Sequence, residues 1–290
     1  MEGPVEADSV SNGPVFVVGI VRSGTSLMSM MLSAHPAFAV APDLHYIHHW
    51  VRRHRHLELS RPADFEEFWA AFSGNERFGY LGVDADDVRR YIEATQRFSF
   101  RGVYLSILET FAANLQKRRW GEKTPFTANH LDTLFGWFPD ARVIYMLRDP
   151  RAVVSSLRKI PWLADVGVPT HARSWATGVG RALADDGDPR VLRVRYERLV
   201  HRPTDELARI CRFLDEEYSP EMLTGRPALG TWALRDREGW ERTHLSAALG
   251  PVHDASVERW RRELAPGEVE LIEEICGPVM QQAGYSPSET

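Results

Sequence analysis

The stretch VFVVGIVRSGTSLM, Val15 to Met28, constrains this chain more than any other feature. An apolar run (Val15 to Ile20) enters a loop, and a helix-compatible run (Leu27 to Ala34) leaves it. Gly19 and Gly24 hold the G-x-x-x-x-G spacing of a phosphate-cradling loop, and Ser26 stands where Ser or Thr is expected. Such a loop offers backbone N–H groups and the positive end of a helix to an anion. The lysine that reaches a terminal phosphate in nucleoside triphosphatases is missing. Thr25 occupies its place, and the nearest cation is Arg22. The hardware suits a short anionic group whose bridging oxygen needs a cation beside it. The plainer alternative is a tight, glycine-containing strand-to-helix turn.

Further strand-like runs lie at Arg119 to Glu122, Arg142 to Leu147 and Val191 to Tyr196. Helical patterns lie between and after them: Ala63 to Phe72, Asp84 to Gln96, Val103 to Lys117, Ala128 to Phe138, Thr204 to Leu214 and Pro266 to Ala283. Apolar strands alternating with helices predict a parallel sheet covered on both faces. The predicted fold is therefore α/β: a P-loop-like three-layer α/β/α domain over residues 14–286, with a helical cap over about residues 45–117. Residues 1–13 are expected to be a disordered tail. That stretch is acidic and polar with no apolar core, so neither a signal peptide nor a membrane anchor is expected. The Pro-, Gly- and Trp-rich segment from Gly225 to Pro251 reads as one long functional loop.

A formal net charge of −5 argues against general nucleic-acid binding. Two cysteines, Cys211 and Cys276, make no disulfide framework and have no metal-ligand spacing. A cytoplasmic, reducing setting is expected, and a homodimer is left open.

A second motif follows RVIYML: Arg148-Asp149-Pro150-Arg151, then a helix carrying Ser155 and Ser156. Arg148 at a strand's end and Ser156 two helical turns on converge at the carboxyl edge of the sheet, where open α/β folds bind ligands. Arginine forks a phosphate and a serine hydroxyl adds a donor. Alternatively, Asp149 is a helix cap and the arginines sit on a solvated face.

The loop VRSGTSL, the pair Arg148 and Ser156, and the stretch EKTPF (Glu122 to Phe126) together resemble sulfotransferases that use 3′-phosphoadenosine 5′-phosphosulfate (PAPS). The resemblance runs from about Pro14 to Tyr285 and is nearest the branch containing tyrosylprotein and many bacterial enzymes. It implies that Arg22, Ser23, Gly24, Thr25 and Ser26 grip the 5′-phosphosulfate, while Arg148 and Ser156 grip the 3′-phosphate. A phosphosulfate has no γ-phosphate, which accounts for the missing lysine. The resemblance further implies Lys123 as a cation beside the leaving phosphate, Tyr196 near the 3′-phosphate, and Ser256 and Trp260 on a segment closing over the nucleotide. Where relatives often place a lysine shortly before that segment, this chain has Gly250. Arg235, Arg237 and Arg242 in the preceding loop are alternative closing groups.

Asp43 falls where tyrosylprotein enzymes carry a catalytic glutamate, and His45 where they carry an arginine. Asp43 is the expected general base, with His45 as the substitute; a turn or cap role after Pro42 is the plainer reading of Asp43. His45, His48 and His49 have helical spacings that zinc sites also use, but no carboxylate or cysteine completes a set nearby. They are expected to line an acceptor pocket, and no metal is expected. The aromatics Tyr46, Trp50, Phe65, Phe68, Trp69 and Phe72 are either pocket or core.

The expected reaction is sulfuryl transfer from PAPS to an acceptor hydroxyl of a small molecule, glycan or lipid, releasing 3′-phosphoadenosine 5′-phosphate (PAP). Arg22 and Lys123 would stabilise charge on the bridging and leaving oxygens. Two rivals stand beside it. One is a P-loop kinase or NTPase with Asp149 holding Mg²⁺. The other is a nucleotide-binding protein of the same fold that has lost its base.

Overall fold

The computed structural model describes residues 13–184, 187–224 and 254–288. The tail assigned to residues 1–13 falls almost wholly outside them, as does the loop from Gly225 to Pro251 with Arg235, Arg237, Arg242 and Gly250.

Five strands make one parallel sheet: β1 (Val15–Gly19), β2 (Phe38–Ala41), β3 (Arg119–Lys123), β4 (Arg142–Leu147) and β5 (Val191–Arg195). Their spatial order is β2-β3-β1-β4-β5. Register is set by pairs such as Val17 with Lys123, Gly19 with Met146, and Leu147 with Arg195. Successive side chains in a strand point to opposite faces, and here both faces are buried. Phe16 and Val18 of β1, with Val143, Tyr145 and Leu147 of β4, face one core; Val15 and Val17, with Ile144 and Met146, face the other.

Helices fill both outer layers. α1 (Thr25–Ala34) and α10 (Pro203–Phe213) bring Met28, Leu32, Leu207 and Ile210 to the second core. α5 (Phe100–Asn114), α7 (Pro150–Leu157), α8 (Val168–Ala184) and the last helix, α13 (Pro266–Gln282), cover the first. This is the three-layer α/β/α arrangement expected from the sequence.

Between β2 and β3 the chain inserts a π-helical turn (Tyr46–Val51), α2 (Pro62–Ser73), α3 (Glu76–Gly79), α4 (Ala85–Thr95) and then α5. The aromatics left open as pocket or core are core. Tyr46 stacks on Tyr104 at 4.5 Å and meets Phe72 edge-on, and Phe68 stacks on Phe72. Trp50, Phe65 and Trp69 are buried in the same cluster.

Several expected boundaries move for local reasons. α5 begins at Phe100 rather than Val103, because the Ser99 hydroxyl caps it by accepting from the Gly102 N–H. The stretch expected to be helical from Ala128 opens as a 3₁₀ turn (Pro125–His130) before α6 (Leu131–Trp137). Tyr196, expected to end a strand, instead opens α9 (Tyr196–His201). β2 and α8 were not expected. β2 has only four residues, too few for its alternation to register in the sequence.

Candidate active site

In a parallel sheet every strand ends on the same edge, so the order of the strands becomes the order of the residues that follow them. Across this sheet the sequence runs Asp43 and His45 after β2, Lys123 at the end of β3, the Arg22–Ser26 loop after β1, Arg148 after β4, and Tyr196 after β5. Residues from Arg22 to Tyr196, far apart in the chain, thus form one row. With strands about 4.8 Å apart, four steps span roughly 19 Å, the scale of an extended nucleotide with an acceptor beside it.

The β1 loop is shaped by positive φ angles. Gly19 (φ 146°) lies so close to β4 that a Cβ there would fall 2.5 Å from the Met146 carbonyl oxygen. Gly24 (φ 92°) lies against Tyr196, whose Cδ2 would sit 2.4 Å from an added Cβ. Gly24 is the N-cap of α1 and supplies no side-chain cap, so the helix's first N–H groups remain available to an anion. Thr25 and Ser26 are buried in that first turn, and the Ser23 hydroxyl is buried without a partner among the described residues.

Arg22 also has positive φ (75°), which turns its side chain toward α7. Its Nε donates to the Ser156 hydroxyl oxygen at 2.8 Å. Its guanidinium is thus directed toward Ser156, on the same side as Arg148. Arg148 donates to the Arg22 carbonyl at 3.0 Å and the Ser256 carbonyl at 2.8 Å, and lies 4.3 Å over the Tyr196 ring. The Tyr196 hydroxyl and Ser256 Oγ are 2.6 Å apart. Trp175, which the sequence did not single out, fixes the turn after β4 by donating its indole N–H to the Arg148 carbonyl at 2.9 Å.

Carbonyl oxygens, not carboxylates, meet the Arg148 guanidinium, and its Nε is buried without a partner among the described residues. Burial first, and then the charges of Arg148 and Arg259, push the Arg22 guanidinium down to about 10. Burial likewise lowers Arg148. Buried cations that repel one another need an anion between them. Arg259, bonded to Glu263 at 3.3 Å, is a further member of this group. It escaped the sequence reading although it lies in the stretch ASVERWRREL, directly before Trp260. Trp260 itself is held in packing, with the guanidiniums of Arg151 and Arg261 at 4.3 and 4.5 Å from its ring.

Asp149 has a different office from the neighbouring Arg148. It caps α7 by accepting from the Arg151 N–H at 2.8 Å, and it pairs with the Arg151 guanidinium at 2.6 Å. The carboxylate that a Mg²⁺-dependent reading requires after β4 is thus engaged in structure.

At the other end of the row, Lys123 and Asp43 form an ion pair. Burial would raise Asp43, but the Lys123 charge and hydrogen bond, with His45 and Arg77, hold it below the usual carboxylate range. Arg77 donates to the Asp43 carbonyl at 3.2 Å, and Asp43 Oδ1 is buried without a partner among the described residues. His45 sits at φ 56° ahead of the π-helical turn, with its ring 4.5 Å from that of His48. Burial first, then Arg77, pushes His45 down to about 4; burial and then His45 push His48 down to about 3. Both imidazoles are neutral near pH 7. Phe126 packs on them at 5.8 and 5.0 Å yet is 42% exposed, an aromatic face directed outward beside Asp43's neighbours. His49 is exposed. Among the described residues no three His, Cys, Asp or Glu side chains are grouped to hold a metal ion.

Comparison with known proteins bears on the family and the fold. A model of the sulfotransferase family matches residues 14–220. The nodulation protein NoeE of Sinorhizobium fredii is 28% identical over 299 residues, covering 94% of this chain and 66% of that protein. Protein-tyrosine sulfotransferase 2 of Gallus gallus is 26% identical over 283 residues, covering 94% and 69%. Among solved structures, the sulfotransferase domain from the curacin biosynthetic pathway superposes with a TM-score of 0.62 at 22% identity, over 95% of this chain and 99% of that one, a likeness of fold.

Proposed function

The chain belongs to the sulfotransferase family, and from that premise we propose that it transfers SO₃ from PAPS to an acceptor hydroxyl by in-line displacement. The observation that carries this reading is the row itself. A cluster of arginines with hydroxyls (Arg22, Arg148, Ser156, Ser256) stands at one end and a lysine–carboxylate pair at the other, with the anion-binding loop between them.

In this reading Arg148, Ser156 and Arg22 hold the 3′-phosphate, with Arg259 adding charge. The N–H groups at the start of α1 and the hydroxyls of Ser23, Thr25 and Ser26 hold the 5′-phosphate. The Ser23 hydroxyl and Arg148 Nε fit such a ligand, since each is a buried donor without a partner among the described residues. Trp260 packs between the guanidiniums of Arg151 and Arg261 on the segment that carries Ser256.

The acceptor oxygen forms a bond to sulfur as the bond from sulfur to the bridging oxygen breaks. Its proton passes to Asp43, and the leaving group is PAP. Lys123 pairs with Asp43 at rest, so the same ammonium that suppresses the base is placed to follow charge onto the bridging oxygen. As Lys123 turns toward that oxygen, Asp43 loses its counter-charge and becomes a stronger proton acceptor. His45 is a weaker candidate, because its neutrality persists well below pH 7 without raising its basicity.

The exposed face of Phe126 beside neutral imidazoles favours an acceptor hydroxyl carried on a ring. A phenol, a sugar of a glycan or a ring-bearing small molecule meets that description, and a tyrosyl side chain of the kind named in the relatives meets it too. The test is incubation of the protein with ³⁵S-labelled PAPS against separate panels of tyrosine peptides, glycans and small phenols or alcohols. Label in one panel assigns the acceptor class. ATP-dependent phosphorylation in the absence of any sulfation overturns the reading.

A further inference from the structure

Glu122 is 1% exposed, ends no helix and pairs with no cation among the described residues, yet it bonds the backbone directly after the proposed base. It neighbours Lys123 on β3, and successive strand residues point to opposite faces. Lys123 therefore reaches the Asp43 side chain from one side while Glu122 works from the other. Glu122 Oε1 accepts from the Leu44 N–H at 3.0 Å and from the Thr124 hydroxyl; Oε2 accepts from the Tyr104 hydroxyl at 2.8 Å. Thr124 Oγ1 in turn accepts from the His45 N–H at 3.4 Å. Two consecutive backbone N–H groups, those after Asp43, are thus tied through one carboxylate to the strand end that carries Lys123. The tie holds His45 in its left-handed conformation, which a β-substituted residue adopts at a cost.

We propose that Glu122 is a positioning residue for the transfer step, its carboxylate clamping the Asp43–His45 segment so that Asp43 faces Lys123 and the acceptor. The inference rests on the reading of Asp43 as the base. The ionised carboxylate gives all three donors a charged acceptor. Protonation removes that charge and makes one oxygen a donor, which weakens the bonds from Leu44, Thr124 and Tyr104.

That requirement gives the clamp a signature in pH. The groups facing Glu122 are Tyr104 from α5 (with Tyr46 stacked on it), Asp43 and His45 from the segment after β2, and Lys123 and Thr124 from its own strand end. Burial pushes Glu122 up to about 7, against the bonds from Thr124, Tyr104 and Leu44 and with the help of the Asp43 charge. Asp43 and His45 are both held far lower. Glu122 is raised toward neutrality while Asp43 and His45 are lowered away from it, so an acid limb there points to the clamp rather than to the base.

The experiment follows hydrolysis of PAPS, with water as the acceptor, from pH 5 to 9, alongside calorimetric binding of PAP. The parent should lose rate as pH falls through about 7. Glu122→Gln should bind PAP within about twofold of the parent, hydrolyse PAPS on the order of tenfold more slowly at pH 8, and show no limb. Tyr104→Phe serves should Glu122→Gln fail to fold. It removes a bond that favours the charged form, so the limb should move upward by about one pH unit. An unchanged limb in Tyr104→Phe overturns the proposal, as does a Glu122→Gln enzyme whose limb persists. Asp43→Asn separates the two readings. Near-normal hydrolysis by that variant removes the base and this proposal with it, whereas a large loss there with an unmoved limb in Tyr104→Phe removes the clamp alone.

Discussion

The two ends of the sheet edge solve opposite electrostatic problems. At the β4–β5 end, Arg22 and Arg148 lie close together with Arg259 near them, and carbonyls rather than carboxylates meet Arg148. That end is suited to hold an anion, and in the proposed reading it should give its energy to ground-state binding. At the β2–β3 end, Lys123 and Asp43 neutralise each other and the imidazoles carry no charge. That end is already charge-paired, and in the proposed mechanism it becomes reactive when the pair is pulled apart. Binding and chemistry are therefore separable by mutation, one end at a time.

The largest effect that could break this contrast is on turnover at the β2–β3 end. Asp43→Asn keeps size and polarity but removes the proton acceptor. PAP affinity should hardly change while PAPS turnover falls by roughly 10²–10⁴-fold. A parallel loss of PAP affinity, read by calorimetry, would show that the two ends are not separable.

Arg148→Ala tests the other end and should invert that pattern. Losing charge-assisted contacts to the 3′-phosphate should weaken PAP by about 2–4 kcal/mol. Adenosine 5′-phosphate, which lacks the group, should bind variant and parent alike. Equal losses for both nucleotides would mean that Arg148 holds the fold rather than the phosphate.

The two ends were not equally legible in the sequence. The donor end is written in contiguous motifs: Gly19 and Gly24 at a fixed spacing, and Arg148 and Ser156 on a strand end and its following helix. What the motif could not tell is direction. The positive φ of Arg22 turns its guanidinium to Ser156, and no spacing rule encodes that. Arg259 stayed hidden because it is one charge among several on a surface-patterned stretch, and its nearness to Arg22 exists only in space. The base end depends on a pairing across 80 positions between Asp43 and Lys123, brought about by β2, a strand too short to be read. Asp43, Lys123 and His45 were found one at a time as candidates, whereas the ion pair, and Glu122 bonded to the backbone after Asp43, came only from the fold. The aromatics between Tyr46 and Phe72 show the same limit, since periodicity does not say whether such a stripe faces a ligand or a core.

A smaller effect is expected where the two ends meet. Gly24→Ala places a methyl 2.4 Å from Tyr196 at a φ of 92°. The backbone strain alone is on the order of 1–3 kcal/mol, and Tyr196 must shift away from Arg148. Chemical denaturation should register the loss of stability, and PAP binding should fall with it. Parental PAP affinity in a variant destabilised only by the backbone strain would mean that the ring moves freely, and that Tyr196 does not brace the donor end.

The smallest expected effect sharpens the comparison most, because it concerns the residue most easily mistaken for the base. His45 has an ordinary histidine value near 6.5 when unfolded and about 4 when folded. A depressed folded value means that the native state binds fewer protons between those pH values. Its contribution to stability is therefore present above 6.5 and is lost as pH falls toward 4. His45→Gln removes that loss, so the variant should gain stability relative to the parent at pH 5 and gain nothing at pH 8, measured by urea denaturation. The midpoint of the acid limb in PAPS hydrolysis should not move, because His45 is already neutral throughout that range. Glu122 runs the other way: its raised value destabilises the fold as pH climbs from about 4.5 to about 7, by up to about 3 kcal/mol. His45→Gln should therefore lessen the loss of stability in acid without removing it, because His48 is depressed as well, and should leave the Glu122 contribution in place. If His45→Gln instead abolishes the limb in hydrolysis while Asp43→Asn retains it, the base is the imidazole, and the Lys123–Asp43 pair is a strut beside it.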